Sequence, residues 1–256
     1  MDAKKFFYSD SSDTGNTGIF DSFLNQIGRI IYPNCCHNCH KDTTQEDKGL
    51  CQECRYKIRL IENPCKICGE ELKDICSKPS VCGKCQTNIR YFDSVFAPFC
   101  YSDPIDKLIQ DMKFSKNISN CNLLAELLYE QIVLQGIKLP ECLIPTPINP
   151  KQYMNRGFNQ SLEIANRLGK LLSIPVKSDV IIKTCNTERQ SKLSFTQRQN
   201  NLKGSFAQNK PIEYQHIAII DDVVTTAATA NEIAKVAKCN GVNKVQVWAC
   251  SRSIKL

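Results

Sequence analysis

No stretch of this sequence stays apolar for the roughly 18–20 residues that a membrane-spanning helix needs, so no membrane insertion is expected. The opening residues, MDAKKFFYSDSSDTGNTG, lack the continuous apolar core of a secretory signal. Residues 1–18 are read as a flexible polar tail, and the protein as cytoplasmic. Aromatic residues are scarce, at 8% with one tryptophan, which gives little material for stacking successive bases along a nucleic-acid groove. No internal repeat and no low-complexity block is evident. Wholesale disorder is excluded, because hydrophobic residues make up 42% and charged residues 23% of the chain.

What the chain has in excess is cysteine. Sixteen occur in 256 residues, and eight of them form the pairs Cys36/Cys39, Cys51/Cys54, Cys65/Cys68 and Cys82/Cys85. A disulfide scaffold suits a short secreted chain, and this one is long and lacks a signal. In a reducing compartment a two-residue gap lets two thiolates turn toward one ion, and four of them satisfy a tetrahedral Zn²⁺. Two structural zinc ions are therefore expected, with every coordination position filled by sulfur. Ligands drawn from consecutive pairs are favoured. Interleaving the first pair with the third and the second with the fourth satisfies the spacing as well. Cys35, His37, His40 and Cys76 stand nearby as spare ligands or as ordinary loop residues. The formal charge of +7 falls to about +3 once two zinc ions sit on eight thiolates, so net charge argues only weakly for a polyanionic partner.

Hydrophobic patterning divides the chain into the tail, an N-terminal helix plus zinc module over 19–92, and an α/β domain over 93–256. Apolar positions 20, 23, 24, 27, 30 and 31 predict a one-sided helix over 19–31. The cysteine region has few apolar runs and cannot fold on burial alone. Beyond it, strands are expected at 94–100, 142–144, 180–182, 217–220 and 242–250. Helical stripes cover 104–114, 122–135, 158–172 and 227–237. Strands alternating with helices imply crossovers and a parallel sheet with helices on both faces.

The most informative segment is Ile217 to Thr229, where an apolar strand delivers Asp221 and Asp222 to its carboxyl end. The turn Thr225-Thr226-Ala227-Ala228-Thr229 then opens a helix. Ligands of open α/β sheets bind at this edge. N–H groups at a helix start, with threonine hydroxyls, suit a phosphate. Two carboxylates suit the vicinal hydroxyls of a ribose. A helix cap accounts for one acid but not for both.

These residues resemble the phosphoribosyl-pyrophosphate loop of type I phosphoribosyltransferases. The whole chain from about residue 33 to 252 resembles the ComF family, competence-associated proteins that join a zinc finger to such a domain. The likeness includes the four cysteine pairs, Met112-Lys113-Phe114, Pro145-x-Pro147 and Arg156-Gly157-Phe158-Asn159-Gln160. It continues through Thr187, Gln190, Leu193, Ser194, Arg198, Asn201, Gly204 and Phe206. The resemblance implies a type I phosphoribosyltransferase-like α/β fold behind a small zinc module. It implies that Asp221 and Asp222 take the ribose hydroxyls and that Thr225, Thr226, Ala227, Ala228 and Thr229 hold the 5′-phosphate. Lys151 and Arg156 would face the pyrophosphate, and Mg²⁺ would arrive with phosphoribosyl pyrophosphate. Ribose 5-phosphate would be a weaker ligand.

The family usually has glycine where Ala227 stands. A right-handed turn there, with the extra methyl harmless, is expected because Thr225, Thr226 and Thr229 are all present; otherwise the phosphate site is altered. Arg156 is read as preceding a helix start, where the helix dipole gives a cation no benefit. The segment 184–205 is either a cover over the site or a solvated loop. Two functions compete. One is ribose 5-phosphate transfer to an unknown acceptor. The other is non-catalytic handling of single-stranded DNA with the uptake machinery, using basic residues such as Lys107, Lys113, Lys116, Arg189, Lys192, Arg198 and Lys203.

Overall fold

The computed structural model describes residues 35–44, 47–72, 80–115, 117–184 and 204–253. The tail, the helix expected over 19–31, Cys76, Lys116 and the family pattern over 187–201 lie outside the described residues.

One five-stranded, fully parallel sheet organises the α/β part, in the order β1-β7-β6-β3, with β2 also on β7. The strands are β1 (Ser94–Phe96), β2 (Phe99–Cys100), β3 (Cys142–Pro145), β6 (His216–Val224) and β7 (Lys244–Arg252). The strand expected over 94–100 is thus two strands. Ala97-Pro98 breaks it, because proline has no N–H to donate to a ladder. Both halves nevertheless pair with β7, from Ser94↔Gln246 to Cys100↔Arg252.

Side chains alternate across the sheet and fill two cores. On one face Leu143, Ala218, Ile220 and Trp248 pack with α3 (Ile105–Phe114), α4 (Ser119–Leu134) and α6 (Gln160–Leu172). On the other, Cys142, Ile144, Ile217, Ile219 and Val247 pack with α7 (Ala228–Cys239). The apolar positions expected of α3 (105, 108, 109, 112) and α7 (230, 233, 234, 237) are all buried. Helices therefore cover both faces. A parallel sheet buried on both sides needs such near-continuous apolar strands.

Two elements were not expected. The short helix α5 (Pro150–Arg156) starts on an Asn149–Gln152 capping box with proline at its first turn. The other is β5 (Phe206–Gln208), which takes the strand expected at 180–182, β4 (Ile181–Lys183), into an antiparallel ribbon separate from the main sheet.

The cysteine region consists of two similar units, which corrects the expectation of no repeat. In the first, Cys36 N–H donates to the Lys41 carbonyl, His40 N–H donates to the Cys36 carbonyl, and Cys51 opens α1 (Gln52–Tyr56). In the second, Cys65 N–H donates to Glu70, Gly69 N–H donates to Cys65, and Cys82 opens α2 (Gly83–Thr87). His40 and Gly69 occupy the same left-handed corner, with φ of 60° and 66°. The repeat is in the backbone and the ligands, and sequence outside the cysteines scarcely preserves it. The link between the units lies on the sheet edge: Ile61 N–H donates to the Pro98 carbonyl and Cys100 N–H to the Arg59 carbonyl.

Candidate functional site

The thiols gather as Cys36, Cys39, Cys51 and Cys54 in one group and Cys65, Cys68, Cys82 and Cys85 in another, each with its sulfurs within 4.8 Å of one another. Consecutive pairing is the arrangement present, and interleaving is ruled out. Cys39 Sγ lies 3.7 Å from Cys51 Sγ, and Cys68 Sγ 3.6 Å from Cys82 Sγ. A zinc tetrahedron with arms of about 2.3 Å has edges of about 3.8 Å, so the donor sets fit Zn²⁺. Side groups support the sulfurs: Asn38 Nδ2 donates to Cys54 Sγ and Cys82 N–H donates to Cys65 Sγ, both at 3.2 Å. Burial pushes the Cys36 and Cys65 thiols up, but surrounding backbone N–H groups outweigh it and bring them down to about 6 and about 7. Neither Cys35, His37 nor His40 joins a ligand group. His37 instead donates from Nδ1 to Asn120 Oδ1 at 2.7 Å, and the buried Asn120 donates onward to the Leu108 carbonyl.

The carboxylate pair lies in the carboxyl-terminal half of β6, which runs to Val224, four residues past the apolar run. Asp222 does not cap the following helix. Ala227 is the cap, and it has no side chain with which to do so. The start of α7 is left with backbone N–H groups, and Ala228 N–H donates to Thr226 Oγ1 at 3.3 Å. Thr225 is exposed, Thr226, Ala228 and Thr229 are half-buried, and Ala227 is buried. Ala227 has φ 59° and ψ 17°. The turn is therefore left-handed, which corrects the expectation of a right-handed one. The Cβ of alanine crowds the following carbonyl there, a cost of about 1–2 kcal/mol that glycine avoids.

Three residues that the sequence did not place at the acids meet them here. Lys113 Nζ forms an ion pair with Asp222 Oδ2 at 2.5 Å. Ser161 Oγ donates to Asp221 Oδ1 at 3.3 Å. Lys183, from β4, lies within the field of Asp221 and Arg156, and burial lowers its pKa. Asp221 is raised to about 7, first by burial and then by the neighbouring charge of Asp222. Burial and the neighbouring Asp222 thus hold the Asp221 proton to near neutrality, while Asp222 itself faces the Lys113 ammonium.

Arg156 and Lys151 belong to α5. Lys151 is exposed, and among the described residues it forms no ion pair with either acid. Arg156 does precede the start of α6, as expected, but it also sits at the carboxyl end of the unexpected α5, where the helix dipole favours a cation. It donates to Gln160 Oε1 at 3.0 Å. Thr146 Oγ1 and Gln160 Nε2 are buried polar atoms without a partner beside this edge. Asn159 Nδ2 ties the two segments together by donating to the Thr146 carbonyl. Of the basic clusters, Lys107 is paired with Asp103 and Lys113 with Asp222; Lys116, Arg189, Lys192, Arg198 and Lys203 lie outside the described residues.

With this geometry in hand, known proteins give a consistent comparison. Residues 27–101 match the double zinc ribbon domain. Competence protein F of Haemophilus influenzae is 31% identical over 225 residues, covering 85% of this chain and 96% of that protein. The chain belongs to the ComF family. Within the family, the DNA utilization protein YhgH of Salmonella typhimurium is 30% identical over 230 residues, covering 88% of this chain and all of the relative. Competence protein ComFC of Bacillus subtilis is 25% identical over 229 residues, covering 82% of this chain and 91% of its own. Among solved structures, the purine phosphoribosyltransferase of Pyrococcus horikoshii aligns with TM-score 0.31 and 17% identity, over 51% of this chain and 80% of that one. The family assignment rests on the full-length relatives. Among the described residues, no helix is long and apolar enough to cross a membrane.

Proposed function

We propose that the protein binds phosphoribosyl pyrophosphate, and more weakly ribose 5-phosphate, as a phosphoribosyltransferase-like protein serving DNA uptake or use. The observation that carries this reading is the juxtaposition of Asp221 and Asp222 with an uncapped helix start. Asp222, paired with Lys113, accepts hydrogen bonds from the ribose hydroxyls, and Asp221 serves as the second acceptor once it has lost its proton. The N–H groups of Thr225 to Thr229 and the threonine hydroxyls take the 5′-phosphate. Arg156 and Lys183 supply positive charge for the pyrophosphate, with Lys151 as a more distant contributor. Mg²⁺ enters on the phosphate oxygens, since it retains waters and prefers such ligands.

The assignment to DNA uptake or use follows the names of the full-length relatives, competence protein and DNA utilization protein. Phosphoribosyl transfer itself needs little proton traffic. Positioning and charge stabilisation at the departing pyrophosphate suffice. Direct handling of single-stranded DNA gains less support, because Lys107 and Lys113 are spent on internal ion pairs.

Calorimetry with Mg²⁺ and phosphoribosyl pyrophosphate tests the reading. Replacing both acids by alanine removes charge-assisted hydrogen bonds worth about 1.5–3 kcal/mol each, so affinity is expected to fall at least tenfold, roughly 1.4 kcal/mol or more. Equal binding by both proteins, or no binding by either at millimolar ligand, defeats it.

A further inference from the structure

Arg252 ends β7 and is 4% exposed. Its Nε donates to the Cys68 carbonyl at 3.1 Å. Its Nη1 donates to the Val224 carbonyl at 2.9 Å and also to the Thr225 carbonyl. One side chain therefore reaches the second zinc unit, the end of β6 and the loop before α7. Among the described residues Arg252 forms no ion pair. Its hydrogen-bond partners are neutral carbonyls, and a buried guanidinium with no counter-charge is strongly unfavourable. A counter-charge is close at hand: a zinc ion on four thiolates is a dianion, and Cys68 is one of the four. The next residue, Gly69, presses its backbone onto β1, where an added Cβ would meet the Val95 carbonyl at 3.2 Å.

The loop end of the contact has its own geometric consequence. In a planar trans peptide the carbonyl and the N–H point in opposite directions. Holding the Val224 and Thr225 carbonyls on the guanidinium turns the N–H groups of Thr225 and Thr226 away from it. Those are the first two amides of the loop proposed above for a phosphate, immediately before the left-handed corner at Ala227.

We propose that Arg252 is a positioning residue that couples the second zinc centre to this loop. The zinc–thiolate dianion holds the guanidinium, and the guanidinium sets the orientation of the loop amides. The value of those amides for phosphate rests on the function proposed above. The coupling between metal and loop does not, and it is testable without any ligand.

The experiment uses the full zinc-loaded chain and its Arg252→Gln and Arg252→Lys variants. Zinc release to a chromogenic chelator is followed in time, and the second centre is identified as the one retained in Cys39→Ser. Hydrogen exchange is measured over residues 223–230. Arg252→Gln is expected to speed release from the second centre at least tenfold, about 1.4 kcal/mol, and to leave the first within about twofold. Loop exchange accelerates in the same variant. Stripping zinc from the second centre of the wild type accelerates it too, and adds little in Arg252→Gln. Arg252→Lys falls between, since it keeps the charge and loses the fork.

Equal effects on both centres, or loop exchange indifferent to both zinc and Arg252, overturn the proposal. Should Arg252→Gln fail to fold, the wild-type stripping arm and Arg252→Lys decide it by the same criteria. If metal–loop coupling holds while ribose 5-phosphate and phosphoribosyl pyrophosphate both fail to bind, the coupling stands and the phosphoribosyl reading falls.

Discussion

The two zinc ribbons are built alike and attached differently. The first is absorbed into the main core: Cys36, Leu50 and Cys54 pack in the same cluster as Leu108, Leu124 and Trp248. Polar ties reinforce it, through His37 to Asn120 and through Arg55 to Glu130 at 2.9 Å. The second keeps a small cluster of its own, made by Cys65, Cys68 and Cys85. Its link to the rest runs through Ile67, Gly69 and the Arg252 guanidinium. One ribbon thus extends the hydrophobic core, and the other reaches the edge where the carboxylates and the open helix start lie. Similar metal chemistry supports the fold in one place and the candidate site in the other.

The sharpest way to break this contrast is to remove one metal at a time. The protein is expected to hold about two zinc ions, one per four thiolates, and Cys54→Ser and Cys85→Ser to hold about one each by metal analysis. Binding of a structural zinc contributes about 10–16 kcal/mol to folding its own module, so each variant loses the local ribbon. Cys54→Ser is expected to lower the main thermal transition as well, because its ribbon shares the core. Cys85→Ser is expected to leave that transition closer to wild type. The reverse order would show that the second ribbon, not the first, carries the fold.

A smaller effect is expected at the polar tie of the first ribbon. Asn120→Ala removes the partner of His37 and the second donor to the Leu108 carbonyl, a loss of about 1–3 kcal/mol in denaturant unfolding. Zinc content should stay unchanged. A variant that unfolds like wild type would mean that apolar packing alone docks the ribbon.

On the other side of the comparison, Asp221 gives the site a pH signature. Its folded pKa of about 7 stands above the usual carboxylate value. Between about pH 4 and pH 7 the folded chain holds a proton that the unfolded chain has released. Its contribution to stability therefore falls as pH rises through that window and levels off above it. Asp221→Asn removes this dependence, so the melting temperature from pH 5 to 8 should decline less than in wild type. Parallel curves would place the proton elsewhere.

The smallest effect belongs to Ala227→Gly. Relief of the left-handed strain, about 1–2 kcal/mol, is offset by about 0.4–1 kcal/mol of extra freedom in the unfolded chain. Calorimetric stability should rise by about 1.6 kcal/mol at most, and affinity for the phosphorylated ligand should change less than tenfold. A hundredfold gain in affinity would mean that the alanine methyl damages the site.

Much of this was open to reading in residue order alone. The cysteine pairs are local, so their metal chemistry is legible from spacing. The stripes of α3 and α7 are legible from their 3.6 period, and the strand before Asp221 from a short, isoleucine-rich apolar run that ends in a threonine-rich turn. Helix α5 escaped because it buries no residue and so has no stripe. Its signal was the Asn149-Pro150-x-Gln152 cap. The handedness at Ala227 was misjudged because nothing local forces alanine left; the strand and helix on either side do.

By itself, then, the sequence determined eight thiolates in pairs, an acid pair at a strand end and the order of strands and helices. These depend on neighbours along the chain and on periodic burial. Tertiary structure decided that Lys113 would neutralise Asp222 across 109 positions, that His37 would dock on Asn120, and that Arg252 would join Cys68 to the loop. A charged side chain in a list of residues has many possible partners. Only the packed chain, by excluding water and bringing distant segments within about 3 Å, makes one of them the arrangement of lowest free energy.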